Sequence, residues 1–437
     1  MTGIEIGALA IAALILLIVL GMPIGLGMIV VSFVGVSFIR NETVAMRMIG
    51  AVANDSLREY LYAVVPLFVL MGLLVTASGV GKDTFDVFER LLRRVRAGLG
   101  IATVFANAVF ASITGISIAS ASVFSRIAVP EMVRHGYRRR FATGVVAGSS
   151  VLGMLIPPSL LMIVYAVLAE ESVGRMFLAG IGPGLLLSVL FSITILLMAY
   201  LRPKSVFDRE PDFIHQDPVS ALALAGKGVP IVVLVTLVLG GLYGGFLNPT
   251  EAGAVGALGA LAIALMRRSL TPGRFWSLLV ETGQVTVSVL FLIMAATFFS
   301  RMLAMSGLPN ALAEFLLAST IGPYGFLIIF LALVIVMGFL IDSISIMLIL
   351  LPIALPVATA AGFDLIWFGV LTVVAVEIGL LTPPFGLSVY TIKSALGDRT
   401  LKVGEIFMGA TPFVLAMIVG LGVIIAFPSI AVWLARL

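Results

Sequence analysis

The segment from Glu377 to Tyr390, EIGLLTPPFGLSVY, decides how this chain must fold. Apolar sequence flanks it on both sides, yet its middle holds Thr382-Pro383-Pro384, with Gly379 and Gly386 close by. Two adjacent prolines remove two backbone donors and break a helix. In a bilayer such a break is tolerated only where the freed carbonyls are buried in protein or line a polar cavity. A second copy runs from Gly153 to Tyr165, GMLIPPSLLMIVY, with Pro157-Pro158 in the matching place. Broken helices at corresponding positions of two halves of a membrane chain point to a binding site.

The rest of the composition agrees with a membrane protein. The 437 residues are 61% hydrophobic and only 11% charged, where a soluble chain carries about a quarter; the mean hydropathy is +1.22. At about 20 residues per crossing there is room for ten or more. The apolar runs are helical in length, and the short alternating segments of a barrel are missing. The fold class is therefore an all-α polytopic membrane protein. With no cysteine there is no disulfide, thiolate or Cys-ligated metal. His135 and His215 lie in polar, loop-like segments, so Ser/His/Asp catalysis has no candidate in the membrane. No G-x-x-x-x-G-K-[ST] phosphate loop is present, and an enzyme is not expected. The net charge of +4 is better read by location than as a sign of nucleic-acid binding. The first apolar run, Ile4 to Leu20, lacks a basic n-region and a cleavage site and reads as a retained helix.

Along the chain, apolar runs at Ile24–Ile39 and Tyr62–Val80 are separated by a polar connection, Arg40 to Glu59. Gly98 to Met132 is apolar but interrupted by Ser112, Thr114, Gly115, Ser117, Ser120 and Ser122, with clustered arginines at both ends. Basic flanks stay cytoplasmic, so this stretch is expected to be a re-entrant hairpin. Phe141 to Ala169 is the first broken helix. In the second half, Gly322 to Ala361 is interrupted at Gly338 to Ser345, and the second broken helix, Leu365 to Thr391, follows. Thr271 to Thr282 reads as an amphipathic surface segment preceding a crossing from Gln284 to Met305. The expected division is scaffold helices over 1–97, the first hairpin and broken helix over 98–170, and scaffold over 171–321 with a linker at 203–228. The second hairpin and broken helix occupy 322–393, and a scaffold helix closes the chain over 394–437.

The halves repeat at a single spacing. Pro23 and Pro249, Pro130 and Pro356, Gly136 and Gly362, Gly153 and Gly379, Pro157 and Pro383, and Pro158 and Pro384 are each 226 positions apart. Pro and Gly mark backbone breaks, so six such matches indicate a duplicated unit. Most of the 26 Lys and Arg fall in five segments, Lys82–Arg96, Arg134–Arg140, Arg202–Lys227, Arg267–Arg274 and Lys393–Lys402. Placing these in the cytoplasm puts the second hairpin on the face opposite the first. The expected architecture is an inverted repeat, the plan of secondary transporters with a site at the midplane.

Broken helices expose carbonyls that ligate a hard cation such as Na⁺, and half-helix N-termini attract an anion. Hydroxyls at Ser112, Thr114, Ser117, Ser149, Ser150, Ser343, Ser345 and Thr382 can complete such shells, or can serve simply as small helix-packing residues. Asp342 and Glu377 are the acids inside the second unit. Either a cation or proton is carried there, or the pair is structural, through Arg301 or a helix cap. Arg126 meets an anion or snorkels to the interface.

The segments GMPIGLGM (Gly21 to Met28), VPLFVLMG (Val65 to Gly72), IAVPEMVRHGY (Ile127 to Tyr137), AGSSVLGMLIPPS (Ala147 to Ser159), NPTEAGAVGA (Asn248 to Ala257), GFLIDSISIMLILLPIALPV (Gly338 to Val357) and EIGLLTPPFGL (Glu377 to Leu387) carry a family resemblance. Together they resemble the large membrane subunit of a tripartite ATP-independent periplasmic (TRAP) transporter, the DctM-like family. Arg126 stands where the family pattern has a small residue. The resemblance implies a bacterial inner-membrane importer that uses Na⁺ to move an organic anion, such as a C4-dicarboxylate or sugar acid. It implies two protein partners, a periplasmic substrate-binding protein and a small four-helix membrane subunit, within a lipid bilayer, and an elevator-type ion-transporter superfamily fold. It places Na⁺ at Ser112, Gly115, Gly148, Ser149, Val151 and Pro157 in the first half and at Gly338, Asp342, Gly379, Thr382 and Pro383 in the second. Substrate would meet Ser117, Ser150, Ser343 and Ser345. Two other readings fit the residues: a stand-alone sodium- or proton-coupled anion transporter of the same superfamily, and a channel or structural membrane subunit.

Overall fold

A computed structural model describes residues 1–209, 221–318, 321–384, 386–398 and 400–436. The middle of the 203–228 linker with His215, Phe385 of the opening motif, and Arg399 lie outside these residues. The chain is helical throughout; among the described residues the one β feature is an isolated bridge between Tyr137 and Phe207. Among the described residues, seven helices are long and apolar enough to cross a membrane. An eighth counts if the bent pair Arg139–Leu155 and Leu160–Leu168, angled at 41°, is one span. Five further apolar helices among the described residues are shorter, Gly98–Thr114 and Gly322–Met337 included.

One group of helices forms a framework. Ile24–Ile39, Val64–Ser78, Pro249–Met266 and Pro272–Ser306 pack on one another. Gly253 and Gly256 allow the close approach, since a Cβ at Gly256 would lie 2.3 Å from the Met71 sulfur. Pro249–Met266 starts where the sequence says it must: Asn248 and Glu251 form a reciprocal capping box and Pro249 sits at the first position.

The second group holds the repeat. The first hairpin is Gly98–Thr114 and Ser117–Arg134, and the second is Gly322–Met337 and Ser343–Ala360. The first broken helix is Arg139–Ser150, Leu152–Leu155 and Leu160–Leu168, and the second is Leu365–Leu380 and Leu387–Leu396. The return arms start at Ser117 and Ser343 and the broken helices at Arg139 and Leu365, each pair on the 226 spacing. Both Pro157-Pro158 and Pro383-Pro384 bonds are cis. Helices Val173–Leu201 and Val403–Ala426, grouped with the scaffold by their place in the sequence, here pack chiefly on these hairpins and broken helices. The seams are made by glycine: a Cβ at Gly144 would lie 2.1 Å from the Gly409 carbonyl oxygen, and one at Gly180 2.3 Å from that of Leu155.

Two local readings change. Pro272–Ser306 is one continuous helix, not a surface segment followed by a crossing. Its one proline, Pro272, sits at the first helical position, where it is tolerated, and Gly273 and Gly283 cost only about 1 kcal/mol each, too little to end a helix. The polar connection after Ile39 is itself a helix, Glu42–Arg58, started by Val44 N–H donating to Asn41 Oδ1 at 2.9 Å. It buries Ala45 and Val52, seven residues apart on one face.

Candidate functional site

Each hairpin turn meets its own broken helix, and glycine permits both meetings. In the first unit, Gly115 takes φ +66° and lies under the proline pair; a Cβ there would sit 2.5 Å from the Pro158 carbonyl oxygen. Leu160 N–H donates to the Gly115 carbonyl at 3.3 Å, tying the turn to the restart of the broken helix. Gly153 faces the turn from the other side, 3.0 Å by its absent Cβ from Ser117 N. A scaffold helix leans in as well, with Gly72 against the Thr114 carbonyl.

The hydroxyls of this unit are oriented by their own helices. Ser112 donates to Val109 at 2.7 Å, Ser149 to Val145 at 2.8 Å and Ser150 to Ala147 at 2.9 Å. A hydroxyl that donates its proton keeps two acceptor lone pairs, so these oxygens remain suited to a cation or an N–H donor. Ser149 uses one lone pair for the Asn107 side-chain amide, which donates at 2.6 Å across from the first hairpin. Val151 and Pro157 are buried beside them. Gly148 faces elsewhere: a Cβ there would lie 2.5 Å from Phe413 Cβ, on the seam with the last helix. Ser117 and Ser120 are buried, and their hydroxyls have no partner among the described residues.

In the second unit the contact is backbone on backbone. A Cβ at Gly338 would lie 2.6 Å from Gly379 Cα, and one at Gly379 would lie 2.7 Å from the Ile335 carbonyl oxygen. Thr382 donates to Ile378 at 2.7 Å, one turn back. Asp342 is exposed and caps the return arm: Ser345 N–H and Oγ donate to its two oxygens at 3.1 and 2.5 Å. The capping reading holds for Asp342, while Arg301 pairs instead with Asp55 at 3.1 Å. Ser343 is buried at the start of that arm, and Pro383 is exposed. Arg126 is exposed and makes no ion pair among the described residues.

Glu377 stands apart. It is 1% exposed, and neither carboxyl oxygen has a partner among the described residues. A buried ionised carboxylate without a partner costs several kcal/mol. Its counterpart in the first unit is Val151.

The two units also meet each other. The second half of the second broken helix, Leu387–Leu396, packs along the return arm of the first hairpin. Ser388 on that segment is buried and unpartnered, like Ser117 and Ser120 on the arm. Sequence reasoning missed Asn107 and Ser388. The signal for Asn107 was present, a lone amide inside an apolar hairpin arm; nothing local distinguishes Ser388. Among the described residues no group of three or more His, Cys, Asp or Glu side chains converges. The donor set is thus hydroxyl and carbonyl oxygen with isolated acids.

Comparison with known proteins bears on the family and the fold. A family model described as "Tripartite ATP-independent periplasmic transporter, DctM component" matches residues 11–430. The C4-dicarboxylate TRAP transporter large permease protein DctM of Pseudomonas aeruginosa is 33% identical over 382 residues, covering 86% of each chain. The sialic acid TRAP transporter large permease protein SiaM of Vibrio cholerae is 30% identical over 425 residues, 95% of each chain. Among solved structures, the Alcanivorax borkumensis YdaH transporter superposes with a TM-score of 0.63 at 15% identity, covering 89% of this chain and 90% of that one. That likeness is one of fold.

Proposed function

The chain belongs to the DctM component family of tripartite ATP-independent periplasmic transporters, and from that premise we propose that it imports an organic acid in symport with Na⁺. It is a multi-pass large permease subunit, and relatives of this kind are transporter permeases rather than enzymes. The proposed setting is a bacterial inner membrane. A periplasmic binding protein delivers substrate, and a small four-helix membrane subunit flanks the framework helices. The relatives named for a C4-dicarboxylate and for sialic acid support an acid as substrate.

The observation that carries the coupling is the pair of glycine-mediated turn contacts, Gly115 against Pro158 and Gly338 against Gly379. Each puts helix-end carbonyls beside oriented hydroxyls, and a carbonyl that accepts one N–H, as those of Gly115, Val151 and Gly379 do, keeps a second lone pair. Such a set is neutral or nearly so. It suits a monovalent hard cation held weakly enough to be released, whereas a divalent ion calls for several carboxylates. In this reading Na⁺ is cargo. Ser112, Ser149 and the carbonyls near Gly115 and Val151 hold one ion, and Thr382 with the carbonyls near Gly338 and Gly379 holds another. Substrate occupies the seam between the units, where Ser117, Ser120 and Ser388 offer unpartnered hydroxyls.

Movement follows from the packing. The hairpins, the broken helices and the two helices sealed on them by Gly144, Gly180 and Gly409 form the sliding body, and the framework helices form the rail. If the two units are inverted, as the basic segments imply, one slide exchanges the side to which the seam opens.

The test is uptake into proteoliposomes containing this chain and its co-encoded small subunit, with the co-encoded binding protein outside, across a panel of carboxylates. Uptake is expected only with an inward Na⁺ gradient and with the binding protein present. Anion movement without Na⁺ would overturn the symport, and movement without the binding protein would favour the stand-alone transporter.

A further inference from the structure

At the basic end of the second helix group lies a cavity of about 670 Å³ that the transport reading does not use. Its polar wall is Arg138, Arg140 and Arg202, and its apolar wall includes Leu197, Leu201 and Leu415. Among the described residues no acidic side chain lines it. Arg138 is partly neutralised by Asp208 at 2.8 Å, and Arg140 donates to the Met408 carbonyl at 3.4 Å. The Arg202 side chain has no ion pair or side-chain hydrogen bond among the described residues. Leu197, Leu201 and Leu415 are 53%, 75% and 58% exposed, so the apolar wall opens outward along the flank of the helices.

The two walls call for different ends of one molecule. Guanidinium groups bind a phosphodiester through paired N–H donors, while the leucines offer a track for hydrocarbon. The arginines belong to the segments that the charge bias assigns to the cytoplasmic face. Acidic lipid headgroups in the inner leaflet lie at that depth, and basic crevices between membrane helices recognise them. We propose that this crevice binds an anionic phospholipid, its phosphate on Arg140 and Arg202 and its acyl chains along Leu197, Leu201 and Leu415. The crevice is formed by the first broken helix, Val173–Leu201 and its continuation, and Val403–Ala426. The Gly144 and Gly409 contact seals two of these elements, and Val173–Leu201 packs on both, so the lipid clamps three helices that pack on one another. The inference uses only this packing and does not depend on the coupling ion or the substrate.

The experiment is native mass spectrometry of the full chain in neutral detergent, titrated with phosphatidylglycerol or with phosphatidylcholine. One tightly retained phosphatidylglycerol per chain is expected, with phosphatidylcholine lost. Arg202→Gln should weaken retention about fivefold and Arg140→Gln/Arg202→Gln about 25-fold, at roughly the contribution of one basic residue each. Arg134→Gln, in the same basic run but bonded to Glu131 and outside the cavity, should leave it unchanged. Because Arg202 is exposed and has no side-chain partner among the described residues, its single variant carries little folding risk, and an unchanged melting temperature without added lipid checks this. Equal retention in wild type and the double variant, equal retention of the two lipids, or displacement of the lipid by millimolar inorganic phosphate would each overturn the site.

Discussion

The two hairpin and broken-helix units share a spacing and differ in chemistry. In the first, the turn is sealed: Gly115 lies under Pro158, Asn107 bridges to Ser149, and the site residues are all buried and uncharged. In the second, two bare glycines touch, Asp342 and Pro383 are exposed, and Glu377 is a carboxyl with no partner. The 226-residue repeat thus preserves where the backbone breaks and not which side chains surround the break. Backbone breaks are set by sterics and hydrogen-bond supply, which tolerate few residue types. The donors around them can diverge, so the units need not bind the same thing with the same strength.

The largest effects are expected where both units agree, at the glycine contacts. Gly115→Ala combines a left-handed φ with a clash against backbone, and Gly379→Ala puts a Cβ 2.7 Å from one carbonyl and 2.8 Å from Gly338 Cα. Each should cost about 3 kcal/mol or more. Gly362→Ala, with φ +76° but open space around it, should cost only about 1 kcal/mol. Thermal melting in detergent ranks the three; a Gly379 variant as mild as Gly362 would show that the second turn is slack.

Next is the position where the units differ most. Glu377→Val makes the second unit match Val151 of the first. Removing a buried group whose oxygens lack partners should stabilise the protein by about 2 kcal/mol, read as a raised melting temperature. A variant that is more stable but transports poorly would mark the carboxyl as retained for function, since stability and activity trade off at working sites. A variant that melts lower would mean the carboxyl is anchored, and the contrast with Val151 would fail.

Much of this comparison was legible in the residues. Pro157-Pro158 and Pro383-Pro384 announced both breaks, because nothing else in an apolar run removes two donors at once. The small-residue interruptions at Ser112–Ser122 and Gly338–Ser345 marked both hairpins, and the segments that carry the family resemblance all fall within the residues that the family match covers. What was illegible depends on side chains meeting across the fold. Asn107 and Ser149 are 42 positions apart in sequence, and no local pattern pairs them. Gly148 looked like its neighbours in a Gly-Ser-Ser run, yet it serves the seam with Phe413. Continuity from Pro272 to Ser306 was hidden because polar residues imitate a boundary when their exposed face is not known.

A smaller effect separates capping from ligation at Asp342. Asp342→Ala removes the acceptor for Ser345 N–H and should cost about 1 kcal/mol. Asp342→Asn keeps an acceptor and should melt within a few tenths of a kcal/mol of wild type. If Asp342 only caps, the Asn variant also keeps the Na⁺ activation of uptake; loss of activation at unchanged stability would add the carboxylate to the second ion site.

The smallest change in stability, and the sharpest comparison, pits Thr382→Ala against Ser112→Ala. Both hydroxyls donate to a carbonyl of their own helix, at 2.7 Å in each case, and neither holds the helix together. Each loss should therefore move the melting temperature little, by the equivalent of about 0.5 kcal/mol, as is usual for hydrogen bonds between groups inside membrane helices. Their effect on Na⁺ activation should be larger, because the proposed cation shell of neutral oxygens loses one ligand in each variant. The second unit has fewer oriented hydroxyls and an exposed rim, so Thr382→Ala should raise the Na⁺ concentration for half-maximal uptake more than Ser112→Ala does. Equal shifts would make the two sites equivalent despite their different surroundings, and unchanged activation in Thr382→Ala would remove that hydroxyl from the site.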